Sequence, residues 1–468
     1  MAPNRLRANE FTLTMGDSGA TCRRARGFTR SWLLTVFDLP PEWREGWRAL
    51  LPHAYSANLM PRQTHFHPRT AALCHSYAWK EWAGYAAVCN YDRHSEREYF
   101  AFRHTAGMID VSPLYKYDVQ GKDAAAFLSH LWSRDCSKLK PGRVYYGTMC
   151  NEDGHVLDDG TLANLGQGRY RVTSSEPWLG WFARQSRGFE VSIEDETDSI
   201  AALAVQGPRS REILQELVEH DLDALSFFGV ATTTLAGRPG WITRTGYTGD
   251  LGYELWMAPD NALPVWDAVI EAGKPHGLEP AGLDAMDVTR IEAGFVLQGV
   301  DYVSAKNCVT ESLKSTPGDA GLGWTAKLSR EGWIGRDALL REQQGGGSTW
   351  EMVGLEISWA ELEALYERYK LPPHLAPSAS RGALPVWNLD GKQVGQATSS
   401  TWSPILKKYI ALAQVHRPYG ALGTDLKIEH TPEFERHRVS AAVVKTPFYN
   451  PPQKTHTPAK AKKKEAKV

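Results

Sequence analysis

The chain has 468 residues with a formal net charge of -1; 42% of the residues are hydrophobic and 23% are charged. This length can bury a large core and corresponds to about two to four domains. The balanced charge gives no electrostatic basis for binding nucleic acid or an anionic membrane, and no run of about 18 apolar residues could form a membrane-spanning helix. We therefore expect a soluble protein whose partner is a small molecule.

The six cysteines lie far apart in the sequence, and no two of them form a C-x-x-C pair. This spacing fits neither a zinc site nor a dense disulfide scaffold. We therefore predict free thiols in a reducing compartment, a cytoplasmic location and no bound metal.

The two ends of the chain differ in composition from the rest. Residues 1–59 are rich in arginine and show no clear period, which predicts an irregular N-terminal extension outside the main fold. A targeting signal is the alternative, because the arginine-rich start precedes a short apolar run. Residues 451–468 are rich in lysine and have almost no apolar content, so we predict a disordered tail.

Between these ends, strand-like and helix-like segments alternate irregularly. Period-two alternation predicts strands at 114–121 and 168–175, and residues 121–132 have a helical pattern. Residues 200–218 predict a buried strand, a Gly-Pro corner and a helix. The irregular order over residues 60–345 favours the α+β class.

Residues 350–450 have a different sequence pattern, in which short runs of strand-forming residues are separated by residues typical of turns. The dipeptide Asp390-Gly391 stands between two such runs and is a hairpin signature. This region therefore predicts a small antiparallel barrel or sandwich.

Adjacent carboxylates stand in the segment NEDGHVLDDGT, residues 151–161. In a strand, neighbouring side chains face opposite sides, so only one of Asp158 and Asp159 would point to a pocket. The pattern thus indicates a single functional carboxylate. A solvated turn is the alternative interpretation.

A second acid, Glu254, lies among apolar neighbours in TRTGYTGDLGYELW, residues 243–256. If this carboxylate is buried it must accept hydrogen bonds, and a heterocycle with adjacent N–H groups would satisfy it in a bidentate way. A salt bridge to an arginine is the alternative. The predicted helix over 281–295 would place Arg290 near a pocket or the surface.

Eight segments, taken in order, resemble the folate-dependent aminomethyltransferase family, which comprises the glycine-cleavage T-protein and its demethylase relatives. The resemblance covers most of residues 60–450. The segments are EWAGYAAVCNY, EYFAFRHTAGMIDVS, VYYGTMCNEDGHVLDD, LAVQGP, GYTGDLGYEL, RIEAG, GLGWTAKL with IGRDAL, and SPILKKYIALAQV.

The resemblance implies a transferase with a three-domain cloverleaf fold and tetrahydrofolate in a central channel. Residues 60–345 would form two intertwined folate-binding domains, and residues 350–450 would form a C-terminal β-barrel. Asp159 is similar to the acid that lies against the reacting ring nitrogens, and Glu254 to the acid that holds the amino edge of the pterin.

The same resemblance predicts further site residues. Tyr247 is expected to act beside the catalytic acid, and Tyr146 is similar to another pocket tyrosine. Arg290, Tyr85 and Ser175 are predicted to belong to the cofactor-binding set. A tyrosine that is simply a core residue is the alternative for each ring.

Three departures from the family pattern concern the donor. Residues 84–91 read GYAAVCNY where G-W-x-M-P-V-x-Y is common, Met286 stands where the glycine-cleavage type carries arginine, and Ser175 stands where that type has asparagine. These departures favour a demethylase that moves a methyl group from a small methylated amine, sulfonium or aryl ether to tetrahydrofolate.

Two alternatives stay open. One is glycine-cleavage aminomethyl transfer, which needs a lipoyl carrier protein as partner. The other is a folate-binding iron–sulfur assembly or repair protein, whose K-G-C-[YF]-x-G-Q-E segment is matched only by a lysine and a cysteine in residues 306–311.

Overall fold

The computed structural model describes residues 60–376 and 378–458, so the predicted extension at residues 1–59 lies outside the described part of the chain. Within the described part, every helix is too short or too polar to cross a membrane. The α-helices there are α1 (His67–Leu73), α2 (Glu96–His104), α3 (Ala124–Leu131), α4 (Leu179–Gln185), α5 (Ser210–Gln215), α6 (Ala262–Gly273), α7 (Leu283–Glu292), α8 (Arg336–Gln344) and α9 (Trp359–Arg368).

The strands of the described residues are listed here in chain order. They are β1 (Ala78–Trp82), β2 (Tyr85–Asn90), β3 (Ala106–Asp110), β4 (Tyr115–Gln120), β5 (Arg143–Cys150), β6 (Val156–Gly166), β7 (Arg169–Ser174), β8 (Ser192–Asp195), β9 (Ala201–Gln206), β10 (Val230–Leu235), β11 (Arg238–Thr243), β12 (Gly252–Met257), β13 (Leu278–Pro280), β14 (Trp350–Ile357), β15 (Leu384–Trp387), β16 (Gln393–Ser403), β17 (Lys408–His416), β18 (Asp425–His430) and β19 (His437–Val444).

These strands form a hairpin, two larger sheets and a closed barrel. The hairpin is β1-β2, one sheet has the order β10-β11-β12-β9-β3-β13, and the other has the order β5-β6-β7-β4-β8. The barrel closes in the order β14-β17-β16-β15-β18-β19, with antiparallel pairing throughout. The predicted α+β class with a small C-terminal antiparallel barrel is therefore confirmed.

Local sequence signals explain where several elements turn. Asp390-Gly391 lies in the turn between β15 and β16, and Gly391 has a φ of 85°, which favours glycine. Helix α7 is followed by Gly294 with a φ of 69°, so its predicted end is also observed. At the start of α9, Ser358 Oγ accepts a hydrogen bond from the amide of Glu361 at 3.3 Å.

The two larger sheets pack face to face around one buried cluster. Val144 of β5 and Ala163 of β6 belong to the same cluster as Ala204 of β9 and Trp256 of β12. The opposite face of the five-stranded sheet packs on α3 and α4 through another apolar cluster. Side chains on the same faces as these core residues, two or four positions away along each strand, therefore point into the space between the sheets.

The C-terminal segment departs from the sequence prediction. A disordered tail is predicted from Pro451, whereas the structure places residues 451–458 against the buried guanidinium of Arg244. Arg244 Nη2 donates a hydrogen bond to the carbonyl oxygen of His456 at 2.6 Å, and Arg244 Nη1 donates one to Thr457 Oγ1 at 3.0 Å. Composition alone misses this contact because backbone carbonyls, rather than apolar side chains, hold the segment. Residues 459–468 lie outside the described part.

Ending the chain at Asn450 should therefore destabilise the protein. Removal of the carbonyl acceptors leaves Arg244 with fewer partners, and we expect the free energy of unfolding to fall by roughly 1–3 kcal/mol. Urea unfolding followed by tryptophan fluorescence measures the change. A chain that ends at Pro458 is the matched control and should unfold like the full chain. Equal stability of all three proteins would contradict a stabilising role for residues 451–458.

Candidate functional site

The adjacent acids of β6 face opposite sides of the sheet. Asp159 lies on the same face as Ala163, which packs between the two sheets, and Asp158 faces away. The Tyr146 hydroxyl donates to Asp159 Oδ2 at 2.7 Å, and the Tyr302 hydroxyl donates to Oδ1. Burial raises the pKa of Asp159, although both hydroxyl donors act in the opposite direction. The site thus presents one half-buried carboxylate with a phenol on each oxygen.

Asp158 is a fully buried acceptor for neighbouring donors. Its carboxylate accepts hydrogen bonds from Ser175 Oγ at 2.6 Å, from the amide of Glu176 at 3.0 Å and from Trp178 Nε1 at 2.7 Å. The predicted pocket residue Ser175 therefore contacts the carboxylate that faces away from Asp159. This arrangement favours a structural role for Ser175, because its hydroxyl is already engaged.

An aromatic pair borders the Asp159 carboxylate on one side. The ring of Tyr146 stacks on Trp324, with centroids 5.9 Å apart and an interplanar angle of 23°. Trp324 is 61% exposed, so this side of the site opens to solvent. Burial and the Asp159 charge raise the pKa of Tyr146 well above its ordinary value, and the phenol stays a donor at neutral pH.

Tyr247 lies on the connection between β11 and β12. Its hydroxyl donates to the carbonyl oxygen of Val296 at 2.5 Å, and its ring stacks on Phe295 at 5.7 Å between centroids. Burial raises the pKa of Tyr247, and the nearby Asp159 carboxylate acts in the same direction. Tyr247 is thus an electrostatic neighbour of Asp159 that keeps its proton.

Glu254 lies on β12 opposite Ala204 of β9, so its side chain faces the space between the sheets. Its Oε1 accepts a hydrogen bond from Thr245 Oγ1 at 2.8 Å, and its Oε2 accepts a long one from Trp256 Nε1 at 3.4 Å. Burial raises the pKa of this half-buried carboxyl. Among the described residues, Glu254 forms no ion pair with an arginine within 4 Å, so the predicted alternative of a salt bridge is not observed; the charge of Lys116 only lowers its pKa from a distance.

The remaining predicted site residues have other contacts. Arg290 is fully buried, and its nitrogens donate to Asp287 and Asp301 at 2.7 and 2.5 Å. Tyr85 donates to Asp198, which also pairs with a half-exposed arginine, Arg62. The structure therefore brings Tyr146, Tyr247 and Asp159 together. Arg290 lies near Tyr247, but its nitrogens are bonded to carboxylates, and Tyr85 is bonded to Asp198.

One residue of the site was not predicted. Tyr302 is 3% exposed and reaches Asp159 from a loop that is 143 positions further along the chain. Its neighbours in the sequence form no motif, so no local signal identifies it. Among the described residues, no group of three or more His, Cys, Asp or Glu side chains could hold a metal ion.

Comparisons with known proteins agree with this architecture. The family model of the GCVT N-terminal domain matches residues 64–330, and that of the glycine cleavage T-protein C-terminal barrel domain matches residues 371–450. The crystal structure of glycine cleavage system aminomethyltransferase T from Bartonella henselae superposes with a TM-score of 0.70. It covers 83% of this chain and 98% of that chain at 22% identity, which shows a common fold.

Two proteins named aminomethyltransferase illustrate the sequence similarity. The protein from Bacillus subtilis is 34% identical over 359 residues, which is 76% of this chain and 90% of the relative. The protein from Caldanaerobacter subterraneus is 35% identical over 336 residues, which is 71% of this chain and 82% of the relative. The chain therefore belongs to the glycine cleavage T-protein family of aminomethyltransferase enzymes.

Proposed function

We propose that this protein transfers a one-carbon group from a small donor to tetrahydrofolate, with Asp159 as the catalytic carboxylate. The observation that carries the proposal is the position of Asp159 between the two sheets, where two tyrosine hydroxyls hold it and burial raises its pKa. Perturbed carboxyls of this kind concentrate at reaction centres.

The residues present fit a folate. Glu254 is half-buried, forms no ion pair within 4 Å among the described residues and accepts only one hydrogen bond shorter than 3.4 Å, although the charge of Lys116 lowers its pKa. A pterin offers adjacent N–H donors, and a carboxylate can accept two such donors at once. Glu254 would therefore hold the pterin. When bound, tetrahydrofolate supplies the nucleophilic amine that accepts the one-carbon group.

Asp159 can contribute to the transfer in two ways. An ionised carboxylate in a partly buried site stabilises positive charge that develops beside it, and either of its oxygens can hold a proton transiently. Such contributions are worth about 10²–10⁴-fold in rate. Tyr247 donates to the carbonyl of Val296 and keeps its proton, so we assign it to binding and shaping the site rather than to proton abstraction.

Two donor classes have support. The relatives named aminomethyltransferase favour an aminomethyl group, and with it a lipoyl carrier protein as partner. The methyl donors predicted from the sequence are supported by Met286, which packs against the apolar cluster between the sheets where the glycine-cleavage type carries a cation. We place aminomethyl transfer first because those relatives align over most of their length.

A product assay tests the function and separates the donors. The full chain is incubated with tetrahydrofolate and either an aminomethyl-loaded lipoyl carrier, a methylated amine, a sulfonium or an aryl methyl ether, and the folate product is identified by mass. Methylene-tetrahydrofolate only with the carrier supports aminomethyl transfer, and methyl-tetrahydrofolate with a small donor supports demethylation. Tight folate binding without any product would contradict a transferase and favour the iron–sulfur assembly alternative.

A further inference from the structure

The Asp159 carboxylate accepts a hydrogen bond from Tyr302 on the oxygen that Tyr146 does not contact. Tyr146 is a strand residue that donates to Asp159 Oδ2 at 2.7 Å, whereas Tyr302 comes from a loop and donates to Oδ1. Burial and the Asp159 charge raise the pKa of Tyr302 well above its ordinary value, so its hydroxyl stays protonated. The protonated hydroxyls of Tyr146 and Tyr302 thus each donate a hydrogen bond to a different oxygen of the Asp159 carboxylate.

The loop that carries Tyr302 is closed by its own hydrogen bonds. The amide of Leu297 donates to Asp301 Oδ2 at 2.8 Å, and the amide of Asp301 donates to the carbonyl of Leu297 at 2.8 Å. Gly299, which has a φ of 82°, donates its amide to the carbonyl of Tyr302 at 2.7 Å. Asp301 therefore holds the backbone immediately before Tyr302.

Asp301 is itself anchored to the C-terminal barrel. Its Oδ1 accepts hydrogen bonds from Thr398 Oγ1 at 2.5 Å and from Ser399 Oγ at 2.7 Å, and both donors belong to β16. Its Oδ2 also accepts from Arg290 Nη1 at 2.5 Å. Asp301 is 1% exposed, so water does not compete for these contacts. Hydrogen bonds from the barrel to Asp301, the peptide bond between Asp301 and Tyr302, and the hydrogen bond of the Tyr302 hydroxyl thus link the barrel to Asp159.

We infer that Tyr302 is a positioning residue that fixes the Asp159 carboxylate, and that the C-terminal barrel holds Tyr302 in place through Asp301. The inference rests on the proposed function of Asp159. Because a carboxylate bonded through both oxygens cannot rotate freely, its orientation towards the reacting group is set before a donor binds. The barrel domain thereby contributes to the chemistry of a site built mainly on the other sheets.

The ionisable groups near Asp159 determine how a substitution of Tyr302 should change the pKa of Asp159. Asp158 on the same strand and the nearby Asp301 are carboxyls that disfavour its ionised form. Tyr146 of β5 donates to it, and the Asp159 charge in turn raises the pKa of Tyr247. Loss of the Tyr302 hydroxyl removes a hydrogen bond that stabilises ionised Asp159, while the carboxyls of Asp158 and Asp301 stay in place. The pKa of Asp159 should therefore rise.

The variant Tyr302→Phe tests the inference with a readout that does not need turnover. Selective ¹³C labelling of aspartate carboxyls, with Asp159 assigned through Asp159→Asn, reports the titration of Asp159 by NMR. We expect its pKa to rise by about one to two units. The acid limb of the kcat profile should move up with it, and kcat at pH 7 should fall about tenfold while KM for folate stays within about twofold.

Tyr366→Phe is the matched control, since it removes a buried tyrosine hydroxyl that contacts His430 of the barrel. It should leave the Asp159 titration and the kcat profile unchanged. An unchanged Asp159 titration in Tyr302→Phe would overturn the inference, even if kcat fell. Absence of turnover in the full chain would instead contradict the proposed function, while the NMR titration would still decide the role of Tyr302.

The part played by the barrel has its own test. The double variant Thr398→Val, Ser399→Ala removes both hydroxyls that hold Asp301 Oδ1 and changes no group that touches Asp159. We expect the pKa of Asp159 to move in the same direction as in Tyr302→Phe, by a smaller amount. A folded double variant with an unshifted Asp159 titration would overturn the proposed link to the barrel.

Discussion

The substitution Asp159→Asn is expected to lower kcat by about 10²–10⁴-fold while folate affinity changes by no more than a few-fold. Asparagine has nearly the same shape, so packing between the sheets is retained. Its neutral amide can still bond to the hydroxyls of Tyr146 and Tyr302, but it neither stabilises positive charge nor holds a proton. The predicted contact with the pterin belongs to Glu254, which this variant leaves intact.

Single-turnover product formation and calorimetric titration with folate separate the two effects. Asp158→Asn serves as the comparison, because it alters the neighbouring carboxylate that binds Ser175 and Trp178. That variant should lose stability, and its folded fraction should retain far more activity than Asp159→Asn. Wild-type kcat in Asp159→Asn would rule out the proposed role of Asp159.

The pH dependence of kcat should follow the same carboxyl. Burial raises the pKa of Asp159, and the proposed chemistry requires its ionised form. Activity should therefore be present above this raised pKa and be lost as the pH falls through it, so the acid limb lies above the ordinary range for an aspartate. The residual activity of Asp159→Asn should lack this limb.

The substitution Arg290→Met is expected to lower the free energy of unfolding by about 3–5 kcal/mol. Arg290 is fully buried between Asp287, Asp301 and Ser399, and its removal leaves buried carboxylates without their cation. Denaturant unfolding in the absence of folate measures this loss. The matched control is Arg381→Met, which removes a more exposed cation that also pairs with Asp287, at 2.7 Å. Its cost should be within about 1 kcal/mol.

The same pair of variants distinguishes the two roles of Arg290. The sequence resemblance predicts a cofactor-binding residue, and the hydrogen bonds of the structure favour a role in stability. A stable Arg290→Met protein with greatly weakened folate binding would support cofactor binding and contradict the stability prediction.

Features that depend on neighbouring residues could be predicted from the sequence. The hairpin at Asp390-Gly391 follows from the φ preference of glycine, and the opposite orientations of Asp158 and Asp159 follow from the period of a strand. The α+β class and the small barrel likewise follow from local patterns. Resemblance to a family then indicated which carboxylates to associate with a folate.

Features that depend on packing between distant segments could not be predicted. The sequence predicts Ser175 in the pocket, yet its hydroxyl donates to Asp158, because the start of the loop after β7 folds back over the outer face of the sheet. Residues 451–458 are low in apolar content, yet the buried guanidinium of Arg244 provides hydrogen-bond donors for their carbonyls.

Asp158 and Asp159 can be assigned to opposite faces of β6 from their positions in the sequence, since side-chain direction alternates along any strand. The contact between Tyr302 and Asp159, and the hydrogen bond from the barrel to Asp301, can be seen only in the folded structure. The reason is physical: a hydrogen bond requires two groups within about 3 Å, and the separation of groups far apart in the chain is set by how the sheets and the barrel pack.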